Sequence, residues 1–180
     1  MRFTAAILTA FLVTPPAAYA QPAASPRQII DSPAFRTASA FLLKDHERFV
    51  RELITLTEIP APPFKEKARG DAILAMMKQL ELSDVEMDPE GNVTGLRRGT
   101  GGNEMVAILA HMDTVFPEGT DVKVKREGNR LMAPGIGDDT RGVALMLQLI
   151  RAMNVAQYQT VNDILFVANV GEEGEGDLRA

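Results

Sequence analysis

The sequence contains no cysteine, no tryptophan and only two histidines, His46 and His111. Without cysteine the chain can form neither a disulfide nor a thiolate metal site, so any metal must bind through histidine or carboxylate side chains. An excess of basic residues is also lacking, since 19 lysines and arginines face 24 aspartates and glutamates, giving a formal net charge of −5. This balance argues against a nucleic-acid-binding surface, and we expect no nucleic acid partner.

Two nucleotide-binding signatures are missing as well. No glycine is followed by lysine and then serine or threonine, so a phosphate-binding loop is not supported. The glycine fingerprint of a dinucleotide-binding domain does not follow a first strand, which argues against a nucleotide-dependent oxidoreductase.

The N-terminus has the pattern of a secretion signal rather than a membrane span. Arg2 precedes an apolar run over residues 3–13, two prolines interrupt it, and residues 18–20 are small or tolerated at a cleavage site. The run is well short of the roughly 20 residues that a membrane span needs. We therefore predict a signal peptide over residues 1–20, cleaved after Ala20, and a periplasmic or secreted protein without a stable membrane anchor.

The rest of the chain is long enough for one domain and rich enough in apolar residues, at 46%, to build a core. Residues 21–40 are rich in proline, alanine and serine and are predicted to be a loose lead-in, and the domain is expected over residues 41–180. Helical periodicity alternates with short apolar or alternating runs, and this favours an α/β fold. Strands are predicted at 85–88, 93–96, 105–110 and 164–170, with a hairpin at 122–125 and 130–132 and helices at about 41–58, 65–81 and 143–153.

The runs over residues 105–110 and 164–170 are continuously apolar, which is typical of parallel strands covered on both faces. The predicted fold is therefore a three-layer sandwich around a central, mostly parallel sheet. Because ligands bind at the carboxyl ends of strands in open α/β sheets, the residues that follow these two runs are candidates for a site.

His111 and Asp113 directly follow the first of the two apolar runs. Residues two apart in extended chain point the same way, so the carboxylate can hold one imidazole nitrogen while the other nitrogen binds a metal. Taken alone, however, His111 is better explained as a core histidine.

Asp138 and Asp139 lie in a glycine-rich loop just before a helical pattern. Aspartate is a preferred residue at the start of a helix, and capping explains at least one of the two. The other carboxylate is then free to bind a cation or to bridge two.

Glu172 and Glu173 stand between glycines directly after the second apolar run. In isolation they are well explained as a solvated acidic loop. A hydrolytic metal site, by contrast, needs both carboxylate ligands and a spare carboxylate that activates water.

The order and spacing of these motifs carry more information than any one of them. His-x-Asp-Thr-Val at 111–115, Pro-Gly-x-Gly-Asp-Asp at 134–139 and Gly-Glu-Glu-Gly at 171–174 together resemble the two-metal metallopeptidase family of aminoacylase, carboxypeptidase G and peptidase T. The resemblance extends from about residue 43 to the C-terminus. It implies a hydrolase, usually with two zinc ions although other divalent metals serve, that cleaves amide bonds of small peptides or N-acyl amino acids.

The resemblance also implies a role for each candidate residue. His111 matches a ligand of one metal, Asp138 the carboxylate that bridges both metals, and Glu173 a ligand of the other. Glu172 matches the general base, and Asp113 matches the residue that orients the histidine. A cis peptide bond between Asp138 and Asp139 is implied in the same way.

The sequence departs from the family pattern in two respects. Where the family often has lysine two residues after the bridging aspartate, this chain has Thr140 followed by Arg141. A further acidic ligand, a histidine near the C-terminus and the lid or dimerisation domain are not found by Ala180. We therefore expect the chain to be the N-terminal part of a longer hydrolase, whose full-length form is compatible with a homodimer. A non-catalytic binding or interaction fragment on the same scaffold is the alternative.

Overall fold

The computed structural model describes residues 24–174 and 177–179. The predicted signal peptide, residues 1–20, lies outside the described residues. No helix in the described part of the chain is long and apolar enough to cross a membrane.

Two helices occupy most of the stretch that the sequence predicted to be a loose lead-in. They are α1 (Pro26–Ile30) and α2 (Pro33–Lys44). That prediction is wrong because the serines and prolines act as helix starts: Ser25 forms a reciprocal capping pair with Gln28, and Ser32 accepts a hydrogen bond from the N–H of Phe35. Serine before proline at the first helical position favours a helix as much as it favours a loop.

Three further helices supply the helical side of the core. They are α3 (His46–Thr57), α4 (Lys67–Met77) and α5 (Arg141–Val155). Each has its buried residues at helical spacing, as the sequence predicts. The helices share one apolar cluster, whose fully buried members include Leu56, Ile73, Met77, Val143, Leu147 and Ile150.

Four strands form the main sheet and two form a separate hairpin. The sheet strands are β1 (Ser83–Met87), β2 (Val93–Arg97), β3 (Met105–His111) and β6 (Asp163–Asn169), in the spatial order β1-β2-β6-β3. The hairpin strands are β4 (Lys125–Glu127) and β5 (Arg130–Met132). Strand β4 begins later than the predicted residue 122, because the N–H of Val124 donates to the Glu58 carboxylate at 3.1 Å instead of to a strand partner.

The α/β class is as predicted, but the expectation of a mostly parallel sheet is wrong for the described residues. Only the β3–β6 pair is parallel, whereas β1–β2 and β2–β6 are antiparallel. The five-residue turn between β1 and β2 explains the first antiparallel pair, since a parallel pair needs a longer crossover. Helix α5 provides that crossover between β3 and β6.

The described helices pack on one face of the sheet, so two of the three predicted layers are seen. Val93, Ala110, Phe166 and Ala168 form the inner face and belong to the same apolar cluster as α3, α4 and α5. The expectation that residues 105–110 are covered on both faces is wrong for the described residues, because the described helices pack on one face of the sheet and Leu109 of β3 is 60% exposed.

Candidate metal centre

The parallel pairing of β3 and β6 brings two of the candidate motifs to one edge of the sheet. His111 is in register with Asn169, and the N–H of Met112 donates to the Asn169 carbonyl at 2.8 Å. Because the strands run in the same direction, the segments that follow them, 112–114 and 170–173, leave the sheet side by side. The two motifs therefore follow the ends of neighbouring strands, as the sequence predicts.

His111 is buried and its two ring nitrogens both face oxygens. Nε2 lies 3.0 Å from Oδ1 of Asp138 and 3.7 Å from Oε2 of Glu172. Nδ1 lies 3.2 Å from the backbone carbonyl oxygen of Asp113 and 3.6 Å from its carboxylate. Interaction with the carboxylates of Asp113 and Asp138 outweighs the opposing effect of burial and raises the pKa of His111 to about 9.

Asp113 is fully buried and organises the loop after β6. Its carboxylate accepts the N–H of Glu172 at 3.3 Å and the N–H of Glu173 at 3.0 Å. Burial opposes the charge, but hydrogen bonds from His111 and the two amides prevail and lower the pKa of Asp113. An ionised carboxylate thus joins the end of β3 to the segment that carries both glutamates.

The two adjacent aspartates of the glycine-rich loop divide the two functions that the sequence left open. Asp139 accepts the N–H of Gly142 at 3.0 Å and so caps the first turn of α5. The Asp138 side chain is 82% exposed and is turned to His111. The peptide bond between the two is cis, as the family resemblance implies, and both residues have non-helical dihedral angles inside the wide turn over residues 136–140.

The loop before Asp138 depends on a glycine. Gly135 has φ of 72°, a left-handed conformation, and a Cβ at this position would lie 2.6 Å from the methyl group of Thr114. Only glycine allows the loop to approach the end of β3 this closely. The approach brings Asp138 within reach of the imidazole.

Glu172 and Glu173 complete the cluster. One ligand atom each from His111, Glu172 and Glu173 lies within 4.8 Å of the other two. Burial and the negative charges of Asp138, Glu172 and Asp113 raise the pKa of Glu173, with His111 acting in the opposite direction. Carboxylates that repel one another around an imidazole are what a divalent cation would neutralise, and nitrogen and oxygen donors suit zinc. The residues present therefore fit a metal.

Sequence reasoning missed one residue beneath this cluster, Arg69 of α4. Its guanidinium donates to Met112, between His111 and Asp113, and to the Thr140 hydroxyl. A signal was available in the sequence, because Arg69 precedes Ile73 by four residues and therefore lies on the apolar stripe of its helix. A charge on such a stripe calls for a buried partner.

The part of the chain that carries the cluster is similar to known proteins. The model of Peptidase family M20/M25/M40 matches residues 107–180, the part that contains every candidate ligand. Residues 107–180 are thus similar to this peptidase family. The resemblance predicted from the motifs is thereby confirmed.

Several proteins that the chain resembles are peptidases. Carboxypeptidase G2 from Pseudomonas sp. (strain RS-16) is 32% identical over 116 residues, covering 59% of this chain and 27% of the relative. The structure of aminopeptidase PepT from Bacillus cereus superposes with a TM-score of 0.63 at 23% identity, covering 74% of this chain and 39% of the other. The di-peptidase Dug1p from Saccharomyces cerevisiae gives a TM-score of 0.65 at 14% identity, covering 77% and 35%.

These two structural matches establish a common fold. The chain spans about a quarter of the length of Carboxypeptidase G2 and under two-fifths of the two structures.

Proposed function

We propose that the protein is a metal-dependent hydrolase that cleaves amide or peptide bonds of small peptides or N-acyl amino acids. The observation that carries the proposal is the convergence of one imidazole and several carboxylates at the shared edge of β3 and β6. His111 Nε2 contacts the Asp138 carboxylate at 3.0 Å, and one ligand atom each from His111, Glu172 and Glu173 lies within 4.8 Å of the other two. Peptidase relatives supply the reaction class.

Three residues would hold the ions. We assign His111 and Asp138 to one zinc ion and Asp138 and Glu173 to the other, with Asp138 as the bridge. When bound, the ions would acidify a water molecule and polarise the scissile carbonyl. Catalytic zinc usually takes about three protein ligands, so each position needs a further ligand beyond this set.

Glu172 is proposed to be the general base. Its carboxylate oxygen lies 3.7 Å from His111 Nε2 and its side chain is 56% exposed, so it reaches both the cluster and the solvent. In this role it removes a proton from the attacking water and returns it to the leaving amine. The geometry alone would also allow it to be a ligand, and the variants below separate these roles.

Asp113 is proposed to hold the site in shape. It is buried beside Nδ1 of His111 and accepts both glutamate amides. Outer carboxylates of this kind fix the orientation of a histidine ligand and strengthen it as a donor.

We also propose that the protein is exported to the periplasm or secreted, on the basis of the signal-like residues 1–20. N-terminal sequencing of the protein from culture supernatant or periplasm tests this. A mature protein that begins at Gln21 is expected, and an intracellular protein that retains Met1 would contradict it.

A second candidate is a non-catalytic binding domain on the same scaffold. It is favoured by the assigned ligand set, which supplies each metal position with two protein ligands where catalytic zinc usually has about three. Turnover distinguishes it from the hydrolase.

The deciding experiment measures metal content and hydrolysis together in the natural full-length protein. Bound zinc is quantified by mass spectrometry, and a panel of dipeptides and N-acyl amino acids is assayed with and without a chelator. We expect chelator-sensitive hydrolysis that Glu172→Gln lowers by roughly 10²–10⁴-fold, whereas Glu86→Gln, an exposed residue on β1, leaves it unchanged. Bound zinc without hydrolysis of any substrate would favour the binding domain.

A further inference from the structure

The most unusual side chain outside the proposed ligand set is Arg69. It is 1% exposed and is the largest fully buried side chain among the described residues. Burial lowers the pKa of Arg69 to about 10, with the charge of Asp113 acting in the opposite direction. The guanidinium therefore remains positive at neutral pH, inside the protein.

All five N–H groups of this guanidinium have acceptors. Nε and Nη2 donate to the Ile59 carbonyl at 2.9 and 2.7 Å, and Nη2 also donates to the Thr57 carbonyl at 3.4 Å. Nη1 donates to the Met112 carbonyl at 2.7 Å and to the Thr140 hydroxyl at 3.2 Å. The acceptors are backbone carbonyls and one hydroxyl, so the charge is stabilised without a hydrogen-bonded carboxylate.

The acceptors belong to three separate segments. Thr57 is the last residue of α3 and Ile59 follows it, Met112 lies between His111 and Asp113, and Thr140 is two residues after Asp138. One rigid planar group thus connects the segment that carries the histidine to the segment that carries the proposed bridging carboxylate. Lysine could supply the charge but not the fixed fork of donors.

Two neighbouring contacts stabilise the same arrangement. The N–H and the hydroxyl of Thr114 donate to the Ala61 carbonyl at 3.0 and 3.3 Å, which ties the end of β3 to the loop after α3. The resemblance places a lysine at position 140 in many relatives, and here the Thr140 hydroxyl instead accepts a hydrogen bond from Arg69 of another helix.

We propose that Arg69 is a positioning residue of the metal centre, which sets the separation of His111 from Asp138 by holding Met112 and Thr140 at fixed places. The proposal rests on the function proposed above. Loss of the guanidinium should leave every proposed ligand residue present but change the separation of His111 from Asp138.

The test compares Arg69→Met with Arg151→Met in the natural full-length protein. Arg151 is the matched control because it also makes a short paired interaction, with Glu52 at 2.7 and 2.8 Å, but does so between α5 and α3 away from the cluster. Zinc affinity is measured by calorimetry well below the melting temperature of each variant, and cobalt is added as a spectroscopic probe of ligand geometry.

We expect Arg69→Met to weaken zinc binding by about 10–100-fold, the effect typical of losing an outer-shell partner, and to alter the visible spectrum of bound cobalt. Arg69→Lys should restore at most part of the affinity. Arg151→Met should lower the melting temperature but bind zinc within about threefold of the wild type. Equal zinc affinities and cobalt spectra for the two methionine variants would overturn the proposal.

Two further measurements apply if Arg69→Met does not fold or if the wild type binds no zinc. If Arg69→Met does not fold, Thr140→Val removes a single acceptor of the guanidinium, and it should still weaken zinc binding and alter the cobalt spectrum. If the wild type binds no zinc, the proposed function fails, and backbone NMR of the metal-free protein decides the positioning role. Unchanged resonances for residues 111–114 and 138–140 in the Arg69 or Thr140 variant would then refute it.

Discussion

Asp113→Asn is the substitution that tests most sharply how the site is organised. The asparagine oxygen can still accept the N–H of Glu173, but its amide group would face the N–H of Glu172, a donor against a donor. The variant therefore loses one amide hydrogen bond to a charged acceptor, worth about 1.5–3 kcal/mol, and the charge beside His111. We expect a loss of about 2–4 kcal/mol in the free energy of unfolding at neutral pH.

The pH dependence of this difference has a defined sign. Because the pKa of Asp113 is lowered in the folded protein, its contribution is fully present above the unfolded value of about 3.9. It is lost as the pH falls through the lower folded value. Wild type and variant should therefore converge in stability only in strong acid.

The assay is denaturant unfolding of the metal-free protein, followed by zinc calorimetry. Asp88→Asn is the matched control, since Asp88 also accepts two backbone amides, those of Gly91 and Asn92, but lies in the β1–β2 turn. We expect both variants to lose stability and only Asp113→Asn to lose zinc affinity, by about 10–100-fold. Equal zinc affinities for the two variants would refute the assigned role.

Three further predictions follow from the same cluster. Glu172→Gln should lower turnover by roughly 10²–10⁴-fold and leave the zinc content nearly unchanged, whereas Glu173→Gln should lower the zinc content. Equal loss of zinc in both variants would show that the roles are misassigned. Because the pKa of His111 is about 9 without metal, zinc must displace a proton from the imidazole. Zinc affinity should therefore rise about tenfold per pH unit from pH 6.5 to 8.5. A pH-independent affinity would contradict this. The isolated 180-residue chain should be inactive because each proposed metal position has only two assigned ligands. It should also be poorly soluble because the apolar Leu109 is 60% exposed, and Leu109→Lys should raise its solubility; a monomeric, active chain with two zinc ions would contradict this.

Much of the fold could be predicted because the signals were local. The apolar runs of β3 and β6 and the spacing of Ile73 and Met77 predict strands and helices directly, and the strand ends then predict where His111 and Glu172 lie. The number of layers could not be predicted in this way, because a continuous apolar run such as β3 does not show whether both faces of the strand are covered. The lead-in was misread because Ser-Pro is a signal for helix starts and for loops alike.

That the candidate residues lie close together could be predicted from the sequence, whereas the hydrogen bonds that hold them in place could not. Asp138 and Asp139 are chemically identical neighbours, and the family resemblance rather than residue type singles out Asp138. In the structure Asp139 caps α5 and Asp138 faces His111. Arg69 was missed because its partners are backbone carbonyls 10–43 residues away, which leave no trace in residue type.

The carboxyl ends of β3 and β6 are proposed to form a metal centre. Anomalous diffraction at the zinc absorption edge tests this most directly. Crystals of the natural full-length protein grown with zinc should show anomalous density bounded by Nε2 of His111 and the carboxylates of Asp138 and Glu173, with two peaks roughly 3.5–4 Å apart. Anomalous density at other residues, such as His46, with none beside His111, would contradict the claim.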